Sequence, residues 1–232
     1  MHPVVLLACA CAASLFVSAC RPSAPAIREV GSSTVWTLVD TTPVPDVRTE
    51  VLGTPTPVEI DGVRALRFDG VDDALVLHTN PIAGMDAFTI EMLVRPDTGG
   101  PFEQRFLHIA AADDHRMLFE LRMPPDGSWY LDTFLRAVSS SRTLIDPTKL
   151  HPPERWTWVA MTYADGRAEH FVEGTSELAD SVDFVPMPGG ATSIGMRMNR
   201  VSWFRGAIAE VRFHRGVLPP EALQRSRPPG AD

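Results

Sequence analysis

The chain has 232 residues, a formal charge of −8 at neutral pH, 44% hydrophobic and 22% charged side chains. That length suits one domain or two small ones and is enough for a core that needs no metal or disulfide, while the composition excludes disorder. The acidic balance excludes non-specific nucleic-acid binding, which depends on clustered Lys and Arg against phosphates. With 21 Pro and 16 Gly, many turns and short strands are expected rather than long helices.

The first predicted element is not part of a fold. Residues 4–19 form an uncharged apolar run of 16 residues, shorter than the roughly 20 needed to span a bilayer. Small residues close it, as in a secretory signal peptide. Its end, Val17-Ser18-Ala19-Cys20, resembles the bacterial lipobox. The resemblance implies cleavage before Cys20 and lipidation there, with residues 1–19 as the signal peptide. More than one acyl chain is needed for a stable anchor. Cys9 and Cys11 would leave with the signal peptide, so the mature chain has no disulfide. Arg21 after the cysteine resembles an outer-membrane sorting signal. Residues 20–32 read as a Pro- and Ser-containing tether, about 45 Å long when extended.

From residue 33 to 225 the sequence is a succession of short runs broken by Gly, Pro and Asp. Strands are predicted at 36–39, 65–68, 74–77, 88–94, 105–111, 117–122, 129–135, 142–145, 156–163, 169–172, 192–196 and 203–213. Hairpin turns are expected at Gly70, Gly166 and Gly174. Residues 80–84 read as one short turn. Residues 219–225 read as a short C-terminal helix opened by Pro, and 226–232 as a tail. The fold class is therefore all-β, an antiparallel two-sheet sandwich or jelly roll. Phe68, Ile90, Val159, Met161, Ile208 and Val211 are expected between the sheets, and Trp156 and Trp158 are expected to pack inside as well.

Three ordered segments resemble the concanavalin A-like lectin/glucanase superfamily in its laminin-G-like, pentraxin-like branch. They are Ala65-Leu66-Arg67-Phe68-Asp69-Gly70-Val71-Asp72-Asp73 with Phe88-Thr89-Ile90-Glu91-Met92-Leu93-Val94, then Trp156-Thr157-Trp158-Val159-Ala160-Met161-Thr162-Tyr163, then Phe204-Arg205-Gly206-Ala207-Ile208-Ala209-Glu210-Val211-Arg212. Trp36-Thr37-Leu38-Val39-Asp40 resembles the family's opening strand. The resemblance implies a jelly roll, and its motifs are folding motifs rather than chemistry.

Glucanases of the superfamily carry a Glu-x-Asp-x-(x)-Glu strand that places paired acids on one face. No such run occurs here; Glu91 and Glu120 each stand alone in their strands. Neither a nucleophile elbow, nor a zinc motif, nor a phosphate loop is present. Ser139-Ser140-Ser141 and Asp113-Asp114-His115 read as surface turns. Relatives that bind calcium suggest Asp69, Asp72, Asp73 and Glu210 as weak candidates, although Ala209 stands where the family has a carboxylate; no metal or cofactor is expected. For carbohydrate, the candidates are Trp129, Tyr130, Trp203 and Phe204, because adjacent rings in a strand point to opposite faces. The reading is a non-enzymatic, envelope-anchored binding or adhesion module for a glycan or protein partner, on a lipid anchor in the outer membrane. The alternatives are an interaction lipoprotein without a sugar site and an unrecognised glycoside hydrolase.

Overall fold

The computed structural model describes residues 31, 33–137 and 139–226. The signal peptide at 1–19, Cys20, nearly all of the tether and residues 227–232 of the tail lie outside the described residues.

Among the described residues fifteen strands run in chain order: β1 (Ser33–Thr37), β2 (Thr49–Leu52), β3 (Thr56–Ile60), β4 (Val63–Asp69), β5 (Ala74–Leu77), β6 (Phe88–Pro96), β7 (Glu103–Ala111) and β8 (Arg116–Arg122). They continue as β9 (Tyr130–Arg136), β10 (Ser141–Ile145), β11 (Thr157–Ala164), β12 (Arg167–Val172), β13 (Thr175–Ser181), β14 (Gly190–Ile194) and β15 (Arg205–Arg215). The larger sheet has the order β13-β12-β11-β6-β15-β4-β3, with β1 also paired to β15; the smaller is β10-β9-β8-β7-β14-β5-β2. Every ladder is antiparallel. The result is the expected two-sheet jelly roll.

Side-chain alternation fills the space between the sheets. Leu66 and Phe68 of β4, Ile90, Met92 and Val94 of β6, Val159 and Met161 of β11, and Met117, Phe119 and Leu121 of β8 all join one buried cluster. Ile208 and Val211 are three apart and still share it, because β15 bulges between Ile208 and Glu210. A second bulge in β7, between Arg105 and Leu107, turns both Phe106 and Leu107 into the core. The rings interlock: Phe106 stacks on Phe119 at 5.7 Å, and Trp36 meets Phe213 edge-on at 4.7 Å.

The hairpins at Asp61-Gly62, Asp165-Gly166 and Glu173-Gly174 have both central residues at positive φ, the requirement of the tight turns whose twist matches the strands. Gly70 has φ +79°, and a Cβ there would stand 2.8 Å from the Arg205 side chain. The Asn80–Gly84 segment is a turn, as its sequence implied.

Two expectations change. The C-terminal helix is only a 3-10 turn at Pro220–Ala222. Leu223 is extended and buried against Ala160 and Phe171, which a continued helix would not allow. The next backbone N–H groups donate to side chains of the larger sheet instead: Gln224 to Glu91 at 2.7 Å and Ser226 to Glu173 at 2.6 Å. Trp156 and Trp158 do share a face, but it is the outer face of the larger sheet. Trp156 donates its indole N–H to Ile60 O at 3.0 Å, and Arg212 stacks over Trp158. That outer face is thus covered by the chain's own end, its tryptophans and the cluster Ala65, Ala207 and Ala209.

Phe119 is fully buried, so Phe119→Ala is expected to cost about 3–5 kcal/mol by lost transfer energy and the cavity it leaves. Urea unfolding of the variant beside the parent checks this.

Candidate binding site

The outer face of the smaller sheet is built by the side chains that alternation turns away from the core. Across β7, β8 and β9, register aligns Arg105, Glu120 and Asp132 in one row. The next row carries His108, Leu118, Phe134 and, on β10, Thr143. Together with Arg116, Arg122 and Arg197, all of these but His108 line a half-open cavity of about 200 Å³. Leu118 and Phe134 form its apolar wall, and the Arg116 guanidinium lies 5.5 Å from the Phe134 ring centre.

The charges are mostly interlocked. Arg105 Nη2 donates to Glu120 Oε2 at 2.8 Å, and Arg122 bridges Glu120 Oε2 at 3.3 Å and Asp132 Oδ2 at 2.7 Å. Arg105 also pairs with Glu103 and Ser202 at the rim, and Arg116 with Asp114 at 2.6 Å. Asp132 is 1% exposed, and its Oδ1 has no hydrogen-bond partner; neither has Nε of the buried Arg105. Burial pushes the Asp132 carboxyl up to about 7, with Glu120 opposite adding to the push; Arg122 and Arg105 oppose it without prevailing.

Arg197 comes from the loop between β14 and β15. Its backbone bridges to Val201, and the loop is pinned where Met198 N–H donates to His108 Nδ1 at 2.9 Å. Burial first, then Arg197, Arg116 and Arg105, press the His108 pKa down to about 3, so it holds this bond as a neutral acceptor. No carboxylate or other hydrogen-bonding group pairs the Arg197 guanidinium among the described residues.

The laminin-G model of the concanavalin A-like lectin/glucanases superfamily matches residues 69–224. The chain belongs to this superfamily. The match starts at Asp69, downstream of the Trp36–Asp40 segment. Among solved structures, domain 4 of the extracellular arabinanase AbnA from Geobacillus stearothermophilus, in complex with arabinotriose, is 17% identical with a TM-score of 0.56, covering 83% of this chain and 86% of that one. The binding domain of botulinum neurotoxin DC in complex with SialylT is 12% identical with a TM-score of 0.62, over 82% of this chain and 49% of that chain. A mutant NanB sialidase from Streptococcus pneumoniae is 14% identical with a TM-score of 0.52, over 63% of this chain and 25% of that chain. The chain therefore spans about half of the toxin domain and a quarter of the sialidase. No curated protein matches it. At such identities the likeness is one of fold.

Within this superfamily jelly roll, the four aromatic candidates separate. Trp203 lies outside the core, half-buried over Ala74, Val76 and Met196, while Phe204 is buried against Phe106 and Phe68, as adjacent rings should be. Trp129 and Tyr130 also split, one inward and one outward, but neither is exposed. Trp129 joins the core, tilted against His151 at 4.8 Å with its indole N–H donated to Pro152 O. Tyr130 stands opposite Arg122 on the outer side and is still only 7% exposed.

The three aspartates do come together, with carboxylate oxygens of Asp69, Asp72 and Asp73 within 4.8 Å. Glu210 is not among them; it pairs with Arg212 on β15. Backbone N–H groups already use half of the aspartates' oxygens. Asp69 Oδ1 accepts the N–H groups of Val71, Asp72 and Asp73, and Asp73 spends its two oxygens on the N–H groups of Thr54 and Asp69. These oxygens cap a turn, which accounts for their grouping without an ion.

Glu120 and Asp132 were not foreseen as partners. Their signal was the outward parity of charge in Arg116-x-x-x-Glu120-x-Arg122 and Asp132-x-x-x-Arg136, which a strand-by-strand search for paired acids passes over.

Asp132→Asn removes a buried carboxylate whose folded pKa lies above its unfolded value. The proton held by the folded state favours folding below the unfolded pKa, near 4, and that advantage fades as pH rises through about 7. The variant is therefore expected to melt higher than the parent at pH 8, and the gap should shrink by pH 5; thermal melts at both pH values check it.

Proposed function

We propose that this protein is an envelope-tethered, non-catalytic binding module that takes a glycan in the cavity on the outer face of its smaller sheet. The carrying observation is the cavity itself: arginines and carboxylates set in rows beside the apolar wall of Leu118 and Phe134. Small-molecule sites combine such an apolar lining with a few fixed polar groups. A sugar ring has the matching surfaces, with hydroxyls around its edge and C–H groups on its face. Arabinotriose and SialylT are held by proteins of this fold, which supports the same class of ligand here. The larger sheet's outer face is occupied by the chain's own end, so the smaller sheet is the face left for a partner. Trp203 lies on that same side and would meet the far end of a longer oligosaccharide.

One observation favours a second reading, glycoside hydrolysis. Glu120 and Asp132 oppose each other across β8 and β9, and one of them holds a proton near neutrality. The ion pairs argue for binding instead. Arg122 bridges Glu120 Oε2 and Asp132 Oδ2, so a guanidinium holds the place between the two acids where a scissile bond would have to lie.

A glycan array should give specific binders, and Phe134→Ala should weaken them by about tenfold while the fold persists; titration calorimetry on the hits measures this. Reducing-sugar release that Glu120→Gln abolishes would replace the binding reading with the hydrolytic one.

The envelope address rests on the lipobox-like Val17-Ser18-Ala19-Cys20. Cys20→Ala is expected to move the protein from the membrane to the soluble fraction. Mass spectrometry of the parent should find acyl chains on residue 20.

A further inference from the structure

We infer that the cavity selects a saccharide unit bearing a carboxylate, a uronate or sialate, with Arg197 as the residue that pairs the carboxylate; this rests on the glycan reading above. The chain as a whole is acidic, at −8, yet the cavity is lined by four guanidiniums and two carboxylates. Three of the arginines are already committed: Arg105 and Arg122 to Glu120 and Asp132, and Arg116 to Asp114. Arg197 is the one without a counter-ion among the described residues. Its planar fork suits a carboxylate bidentately, and its loop is already fixed by the Arg197–Val201 bridge and the His108 bond. An anion binding there incurs little ordering cost.

The other open valences say what the rest of the ligand carries. Asp132 Oδ1 is buried and unpartnered, so it calls for a ligand hydroxyl. Leu118 and Phe134 offer an apolar surface that inorganic phosphate or sulfate could not use. A cavity of about 200 Å³ is smaller than the roughly 300–1,000 Å³ of drug-sized sites. It therefore suits one ring rather than a stretch of chain. Carboxylate, hydroxyl and C–H face on one small unit describe an acidic monosaccharide residue.

The test is calorimetry of the full chain with oligosaccharides ending in galacturonate or sialate, beside the same sugars with the carboxyl reduced to an alcohol. The acidic forms should bind about tenfold or more tightly than the reduced ones. Arg197→Gln should erase that difference, Arg197→Lys should restore part of it, and Arg200→Gln, on the same loop but paired with Glu50, should leave it intact. Melting of each variant at the parent's temperature establishes that the fold is kept. Equal binding of acidic and reduced sugars, both weakened by Phe134→Ala, would overturn the inference and leave the glycan reading standing. Acid selectivity that survives Arg197→Gln would overturn the role of Arg197. Binding of none of these sugars, with an empty glycan array, would overturn both.

Discussion

Everything in this domain depends on the packing of two sheets through every second side chain. A strand has only two sides, so once one side is committed to the core, the other must face water, a covering segment or a ligand. The larger sheet takes the covering segment: Leu218 and Leu223 lie against Ala160 and Phe171, and Glu91 and Glu173 hold the backbone that follows. Over β8 and β9 the smaller sheet opens as the cavity instead, and its outward positions there mix charged side chains with Leu118, Tyr130 and Phe134. The contrast between the two outer faces is what singles out the cavity.

Charge in the middle of strands is costly. Glu120 and Asp132 are 5% and 1% exposed, and each must recover its lost hydration from a partner. Arg105 and Arg122 supply that for Glu120 and for one oxygen of Asp132. The account does not close at Asp132 Oδ1 or at Arg105 Nε. A hydrophobic row of the same size would have been simpler for stability alone. These open valences beside the Arg197 guanidinium are what the proposed ligand would satisfy.

The fold was legible because folding motifs are local. Alternation marked β4 through β12 and β14 to β15, and glycines marked the hairpins. The three strands that were missed, β2, β3 and β13, all lie at sheet edges. β3 contains Pro57, which argues against a central strand; it is in fact paired on one side only, at the sheet's edge, and its Asp61-Gly62 turn was the signal that could have recovered it. β13, Thr175–Ser181, is another edge strand with no fully buried side chain, so it carries no hydrophobic period. The site was less legible. Glu120 and Asp132 are 12 residues apart in sequence and meet only through the β8–β9 register, and Arg197 arrives from a third part of the chain. Trp129 illustrates the converse: the sequence shows an aromatic doublet, but alternation turns the indole inward and Tyr130 is buried on the outer side.

The place of β15 has a consequence for how the polypeptide becomes a domain. This last strand is hydrogen-bonded to β1, β4 and β6, so three early segments share a single late keystone. Ser33 finds its partner at His214, nearly the whole domain away in sequence. Such distant pairing makes assembly slow and nearly all-or-none. A chain cut short before residue 205 would lack the strand that joins β6 to β4, and translation must pass that point before β1 has anywhere to dock.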